Sequence, residues 1–95
     1  MPTVQNIERK IGEIEHFDVL FRQNGADVRG DKFLQKQYSG IKASSGNRTV
    51  SDWVRTRFSV DFPGFEVDVL FANGEKARGN TLLSTVRASY EEEEE

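Results

Sequence analysis

The chain contains no cysteine, one histidine and two prolines among its 95 residues. Without cysteine it can form no disulfide bridge and offers no thiolate as a nucleophile or metal ligand. Disulfides belong to oxidising compartments, so this composition is typical of a protein of the reducing cytoplasm, where we expect this one to reside. A chain of this length folds as one domain with a single modest core.

Long apolar runs are missing as well. No stretch approaches the ~18 apolar residues of a membrane span, and the amino terminus lacks the apolar centre of a secretory signal. We therefore predict neither membrane association nor secretion.

The residue types that catalysis or metal binding requires are scarce. No second histidine, nucleophile elbow, phosphate-binding loop or dinucleotide fingerprint accompanies His16. Carboxylates such as Asp18, Glu66 and Asp68 do not have the spacing of a calcium-binding loop. We therefore predict that the protein is not an enzyme and binds neither a metal nor a cofactor.

The charge is distributed unevenly along the chain. The net charge is -3, yet residues 29–57 carry +5 and residues 58–95 carry -6. Much of the acidic excess comes from a terminal run of glutamates, which repel one another and bury nothing. We expect residues 91–95 to be a disordered acidic tail after a single domain of residues 1–90.

One motif occurs twice. Asp-Val-Leu-Phe, followed by Asn-Gly and then by Arg-Gly, runs from Asp18 to Gly30 and again from Asp68 to Gly79. Such self-similarity indicates an internal duplication. We predict repeat units of about residues 14–39 and 65–90, each consisting of a β-hairpin and a helix.

The first half begins with an amphipathic helix, predicted from about Thr3 to Ile11 and stopped by Gly12. Apolar and polar residues then alternate, which predicts a strand, and Asn24-Gly25 supplies the left-handed turn of a hairpin. After a short return strand, Asp31 is a predicted N-cap of a second helix.

The segment from Thr49 to Phe58 is ambiguous. Thr49 with Asp52 resembles a helical capping box, whereas unbroken alternation from Val54 to Phe62 favours a strand. We favour the strand, preceded by at most one helical turn.

The second half then repeats the pattern of the first. A strand from Phe65 to Phe71, a turn at Asn73-Gly74 and a short return strand lead to a last helix capped near Thr81. The predicted fold is α+β in the order α-ββα-loop-βββα. It has an antiparallel sheet of about five strands with helices mainly on one face.

Two leucines suggest an interaction surface. Leu20 and Leu70 occupy outward positions of the two repeated strands, and in the favoured strand assignment Trp53, Arg55 and Arg57 share that side. An apolar centre with tryptophan and arginine is typical of a protein interface. We predict a small non-enzymatic module that binds another protein or forms a homodimer through the outer sheet face.

Two alternatives remain open at this stage. Arg29 and Arg78 each precede a glycine and a predicted helix start, where backbone N–H groups favour anions, so the basic segment 29–57 is a candidate nucleic-acid surface. Its further candidate contacts are Lys32, Lys36 and Arg48. The second alternative is a small molecule bound in an aromatic-lined pocket between sheet and helices.

Overall fold

The first helix, α1, spans Val4–Glu15 in the computed structural model, which describes residues 1–91. Thr3 caps it by accepting a hydrogen bond from the Asn6 N–H. The helix continues past the predicted stop at Gly12 and ends where His16 adopts a left-handed conformation, with φ of 66°. The apolar stripe of α1 packs into the core.

Three strands form an antiparallel sheet in the order β2-β1-β3. They are β1 (Asp18–Gln23), β2 (Ala26–Asp27) and β3 (Glu66–Leu70). Asn24 and Gly25, with φ of 54° and 79°, turn the chain between β1 and β2, as the predicted Asn-Gly turn requires.

The register of β1 and β3 runs from Asp18 opposite Leu70 to Arg22 opposite Glu66 and includes one pair of valines, Val19 opposite Val69. The flanking pairs are Asp18 with Leu70 and Leu20 with Asp68. Because side chains alternate between the faces of a sheet, Val19, Phe21 and Val69 are buried on the face that packs against the helices.

The second helix, α2, covers residues 50–61, where a strand was predicted. It consists of an α-helical turn (Val50–Trp53), a π-helical turn (Val54–Phe58) and a final α-helical turn (Ser59–Asp61). Thr49 caps it through the Asp52 N–H, as in the alternative assignment. The alternation of apolar residues was misleading, because Val60 is 66% exposed.

The predicted sheet of about five strands is therefore too large, and residues 1–91 contain three. Residues from Val54 onward are helical, and the return segment of the second hairpin makes only an isolated bridge between Leu70 and Lys76. A sheet this small nevertheless forms a core, because Phe21 of β1 packs against large aromatic side chains such as Phe58 of α2.

The helix predicted after Asp31 is also absent. Residues 31–40 contain no helix, and Asp31 pairs with Arg29 at 3.1 Å instead of capping a helix. Phe33, which follows Asp31 closely, is 63% exposed. The predicted repeat of a hairpin followed by a helix is therefore not supported.

The last helix, α3, spans Leu83–Glu91 and buries Leu83 and Val86. Its existence was predicted. The expected acidic tail began at Glu91, which belongs to this helix, and its other residues lie outside the described part of the chain.

Aromatic side chains fill the core between the sheet and the helices. The Phe21 ring lies 4.9 Å from that of Phe58, and the Phe17 ring packs edge-on against Trp53 at 5.2 Å. Among residues 1–91, no helix has the length and apolar character needed to cross a membrane.

Removing either helix cap should destabilise the fold. We expect Thr3→Ala and Thr49→Ala each to lower the free energy of unfolding by about 1 kcal/mol, because one N–H of the first turn loses its partner. Urea denaturation measures this change. The control is Thr85→Ala, an exposed position inside α3, which should change stability by less than ~0.5 kcal/mol; equal losses in all three variants would contradict the capping role.

Candidate functional site

The side of the sheet that faces away from the core forms a mixed apolar and charged surface. We call it the outer sheet face. None of its six residues is buried, whereas the opposite side of the same strands forms the core. The six residues are Asp18, Leu20, Arg22, Glu66, Asp68 and Leu70.

Leu20 lies in the middle row of this face, opposite Asp68, and Leu70 ends β3 in the adjacent row, opposite Asp18. Both are half-buried, yet neither belongs to the core cluster or packs against it. The other large half-buried aliphatic side chains of residues 1–91 all contact the core. The two leucines therefore contribute apolar surface that the core does not use.

Charged side chains of both signs surround the two leucines. Arg22 pairs with Asp27 at 2.7 Å and lies 3.7 Å from Asp68. Lys76 approaches the same Asp68 oxygen, Oδ2, at 3.3 Å. This oxygen is buried without a hydrogen bond of good geometry, so the two cations stabilise it through charge alone.

Trp53 does not belong to the outer sheet face, contrary to the sequence-based expectation. It is fully buried, and its indole N–H donates to the Tyr38 hydroxyl at 3.0 Å. The helical conformation of α2 explains the difference, because the expectation depended on a strand. Arg55 is exposed and pairs with Asp52 in its own helix, and Arg57 points toward Glu15.

The sequence-based predictions missed a buried polar cluster around Glu15. This side chain is completely buried and accepts four short hydrogen bonds. The donors are the Tyr38 hydroxyl at 2.5 Å, the Ser44 N–H at 2.8 Å, Arg57 Nη1 at 2.9 Å and Arg87 Nη2 at 3.1 Å. Two arginines and two neutral donors compensate for the loss of hydration.

A weak signal for this cluster was present in the sequence. Glu15 follows Val4, Ile7 and Ile11 at helical spacing, so it belongs to the apolar stripe of α1. A carboxylate at such a position must find buried partners. Its partners are distant in sequence, however, and spacing does not identify them.

The cluster holds the connector, residues 35–48, which has no helix or strand. Tyr38 and Ser44 attach it to Glu15. A second carboxylate, Asp61, accepts hydrogen bonds from the Ser39 N–H and hydroxyl at 2.7 Å and 2.8 Å. Burial raises the pKa of Asp61, but the Ser39 hydrogen bonds and the nearby Lys36 outweigh it, and the pKa is lowered.

The pKa of Tyr38 is shifted in the opposite direction from that of Asp61. Burial, followed by the hydrogen bond to the Glu15 carboxylate, raises the pKa of Tyr38 to about 12. The hydroxyl therefore remains protonated and can donate to Glu15 while accepting from Trp53.

The sequence suggested anion sites at the helix starts after Gly30 and Gly79. No helix begins directly after Gly30, and the first N–H groups of α3, those of Leu83 and Ser84, donate to the Arg48 and Gly46 carbonyls. The other two helix starts are also occupied. The first N–H groups of α1 donate to the Lys32 and Gly30 carbonyls. Those of α2 donate to the Thr81 and Gly79 carbonyls. Backbone oxygens thus occupy the positions that a phosphate would take.

Most of the candidate nucleic-acid contacts have partners within the chain. Arg29 pairs with Asp31, Lys36 pairs with Asp61, and Lys32 lies 6.0 Å from the Phe65 ring. Arg48 and Arg78 are exposed at separate positions, before α2 and before α3. Nucleic-acid binding stays a prediction that these contacts do not favour.

The aromatic residues pack against one another and do not enclose a pocket of their own. An open depression of about 500 Å3 lies between the end of α1 and α3, with Phe17 and Tyr90 in its lining. The Tyr90 hydroxyl is already engaged, since it donates to the Leu70 carbonyl and accepts from the Asp18 N–H. Within residues 1–91, no group of three or more acidic or histidine side chains is placed to hold a metal ion.

Comparison with protein-family models, with curated proteins and with solved structures finds no match to this chain. The function is therefore inferred from the geometry of the chain itself.

Replacing the buried Glu15 carboxylate with a neutral side chain should destabilise the fold. We expect Glu15→Gln to lower the free energy of unfolding by about 3 kcal/mol, because Arg57 and Arg87 lose their counter-charge in a buried setting. Glu13→Gln, at an exposed position of the same helix, should have little effect. Urea denaturation of both variants checks this, and similar small losses would show that the ion pairs contribute no net stability.

Tyr38 should make stability depend on alkaline pH. Its pKa is about 10 in the unfolded chain and about 12 in the folded one, so the unfolded state loses its proton first and ionisation favours unfolding. We expect up to roughly 2 kcal/mol of stability to be lost between pH 10 and pH 12. Denaturation of Tyr38→Phe over the same range should show a shallower decline, and identical slopes would contradict the assignment.

Proposed function

We propose that this chain is a non-enzymatic protein-binding module that associates with a second copy of itself through the outer sheet face. The observation that carries the proposal is the position of Leu20 and Leu70. They are half-buried on the side of the sheet opposite the core and contribute nothing to the core. Apolar side chains surrounded by charged ones are characteristic of protein interfaces.

The arrangement of the face favours a second copy as the partner. Leucine and aspartate alternate in opposite directions on the two strands, with Leu20 opposite Asp68 and Leu70 opposite Asp18. Cations and carboxylates both border the leucines, so an identical face offers charges of the opposite sign. Self-complementarity of this kind is what a twofold interface requires.

The size of the face predicts weak association. The outer sheet face is formed by β1 and β3, of six and five residues. Two such strands present roughly 17 Å by 10 Å, on the order of 170 Å2. Stable interfaces bury about 800 Å2 on each partner. We therefore expect a reversible dimer that uses neighbouring surface as well and that appears only at elevated protein concentration.

Light scattering and sedimentation over a concentration series test this proposal. The unchanged chain should shift from monomer toward dimer as concentration rises. Leu20→Glu and Leu70→Glu should each weaken the dimer at least tenfold, because a carboxylate at the interface centre would have to lose its hydration.

Val60→Glu is the matched control, since Val60 is an exposed apolar residue on α2 outside the outer sheet face. It should leave association unchanged. A chain that stays monomeric at every concentration, or a dimer that Leu20→Glu and Val60→Glu weaken equally, would exclude this face as the interface.

A further inference from the structure

The two long helices of the chain begin in the same way. Thr3 accepts a hydrogen bond from the Asn6 N–H at 3.2 Å, and Thr49 accepts one from the Asp52 N–H at 3.2 Å. The helices α1 and α2 that follow each span twelve residues. Each helix leads into a strand of the central β1–β3 pair.

Each helix start is also bound by the segment that follows its own hairpin. Isolated bridges join Thr3 to Phe33 and Thr49 to Leu82. Three equivalent backbone hydrogen bonds, of 2.8 to 2.9 Å, accompany each bridge. The donor and acceptor pairs are Val4 to Lys32, Gln5 to Gly30 and Leu34 to Pro2 in the first half, and Val50 to Thr81, Ser51 to Gly79 and Leu83 to Arg48 in the second.

A glycine lies beside the first turn of the helix in both halves. A Cβ atom added at Gly30 would be in ordinary contact with Gln5 Cβ at 3.4 Å, and one added at Gly79 would meet Ser51 Oγ, which would have to rotate. The Arg-Gly step that occurs twice in the sequence therefore lies at the same place in both halves, where the glycine carbonyl accepts a hydrogen bond from the first turn of the helix.

The register of the sheet agrees with this correspondence around one pair of valines. When the two halves exchange places, the pair of Asp18 with Leu70 becomes the pair of Asp68 with Leu20, and the pair of Val19 with Val69 maps onto itself. Antiparallel strands paired in this way are related by a local twofold axis.

We propose that the chain consists of two copies of one helix–hairpin unit, residues 3–34 and 49–83, which pack against each other as the subunits of a dimer would. Each unit can also pair with the complementary unit of a second chain. The partner is thus a second copy of this protein, bound by exchange of halves. The surface involved is the β1–β3 pair and the core beneath it, and the inference does not rest on the outer sheet face.

The contacts between the halves explain why exchange is feasible. The units join by β1–β3 pairing and by aromatic contacts such as that of Phe21 with Phe58, and all of these can re-form between chains. The connector has 14 residues and could reach about 46 Å when extended, more than the 36 Å long dimension of the molecule. A connector of this length permits domain swapping.

Complementation between two damaged full-length chains tests the proposal. Val19→Asp damages the first unit and Val69→Asp the second, because both side chains are buried at the centre of the sheet. The two variants are unfolded together, mixed, and refolded in a urea concentration at which each alone is unfolded and the unchanged chain is folded. Circular dichroism and native mass spectrometry measure the outcome.

Exchange should give a heterodimer with two lobes, each lobe being a first unit paired with a second unit from the other chain. One lobe then combines the two intact units, and the other combines the two damaged ones. We therefore expect about half of the native signal, and a 1:1 dimer mass. Two differently tagged Val19→Asp chains are the control and should recover no signal, because no lobe can be free of damage. A monomeric mixture whose signal equals the sum of the separate variants would overturn the inference.

The two dimerisation hypotheses can fail separately. Leu20→Glu leaves the β1–β3 core pairing intact, so it should not affect complementation even if it abolishes association through the outer sheet face. Recovery that is lost when Leu20→Glu is added to both chains would contradict the distinction between the two surfaces.

Discussion

The buried charge of Glu15 constrains the structure more than any other single group. A carboxylate without water is costly unless donors surround it, and here the donors come from the connector, α2 and α3. One side chain on α1 therefore fixes the position of three other parts of the chain. Arg87 strengthens the arrangement by also donating to the Glu15 and Ser44 carbonyls at 2.7 Å. The connector, which has no regular structure, is ordered by these polar contacts.

The parts of the fold that local sequence determines were predictable. The alternation around Val19 and Val69, the turn at Asn24-Gly25 and the existence of α1 and α3 depend on near neighbours in the chain. The segment after Gly30 was not predictable, because its backbone donors and acceptors bind the start of α1, some 25 residues earlier. The strand assignment of residues 54–62 failed because the alternation of apolar residues did not reflect burial: Val54 is half-buried and Val60 is exposed.

The candidate site was predictable to a similar extent. Leu20 and Leu70 stood out because a repeated outward leucine is not needed for a core, and the structure leaves both outside the core cluster. Trp53 was assigned to the same surface through an incorrect strand. The basic segment looked like a ligand surface in the sequence, but four of its seven cations form ion pairs within the chain. Two of them pair with the distant carboxylates of Glu15 and Asp61, and two pair with aspartates two or three residues away. Charge along a sequence does not show which partners the fold provides.

The π-helical turn of α2 has a consequence for changes in chain length. Residues five apart in a regular α-helix point about 140° away from each other, yet Trp53 and Phe58 are both buried. The wide turn, closed by the Ser59 N–H on the Val54 carbonyl, accommodates one additional residue so that both rings reach the core. Deleting a single exposed residue there, Arg55 or Thr56, would convert the turn to regular α-helix and keep both flanks on their faces. A one-residue deletion at this turn should therefore be less damaging than a deletion in a regular α-helix, where it would rotate the buried side chains of one flank out of the core.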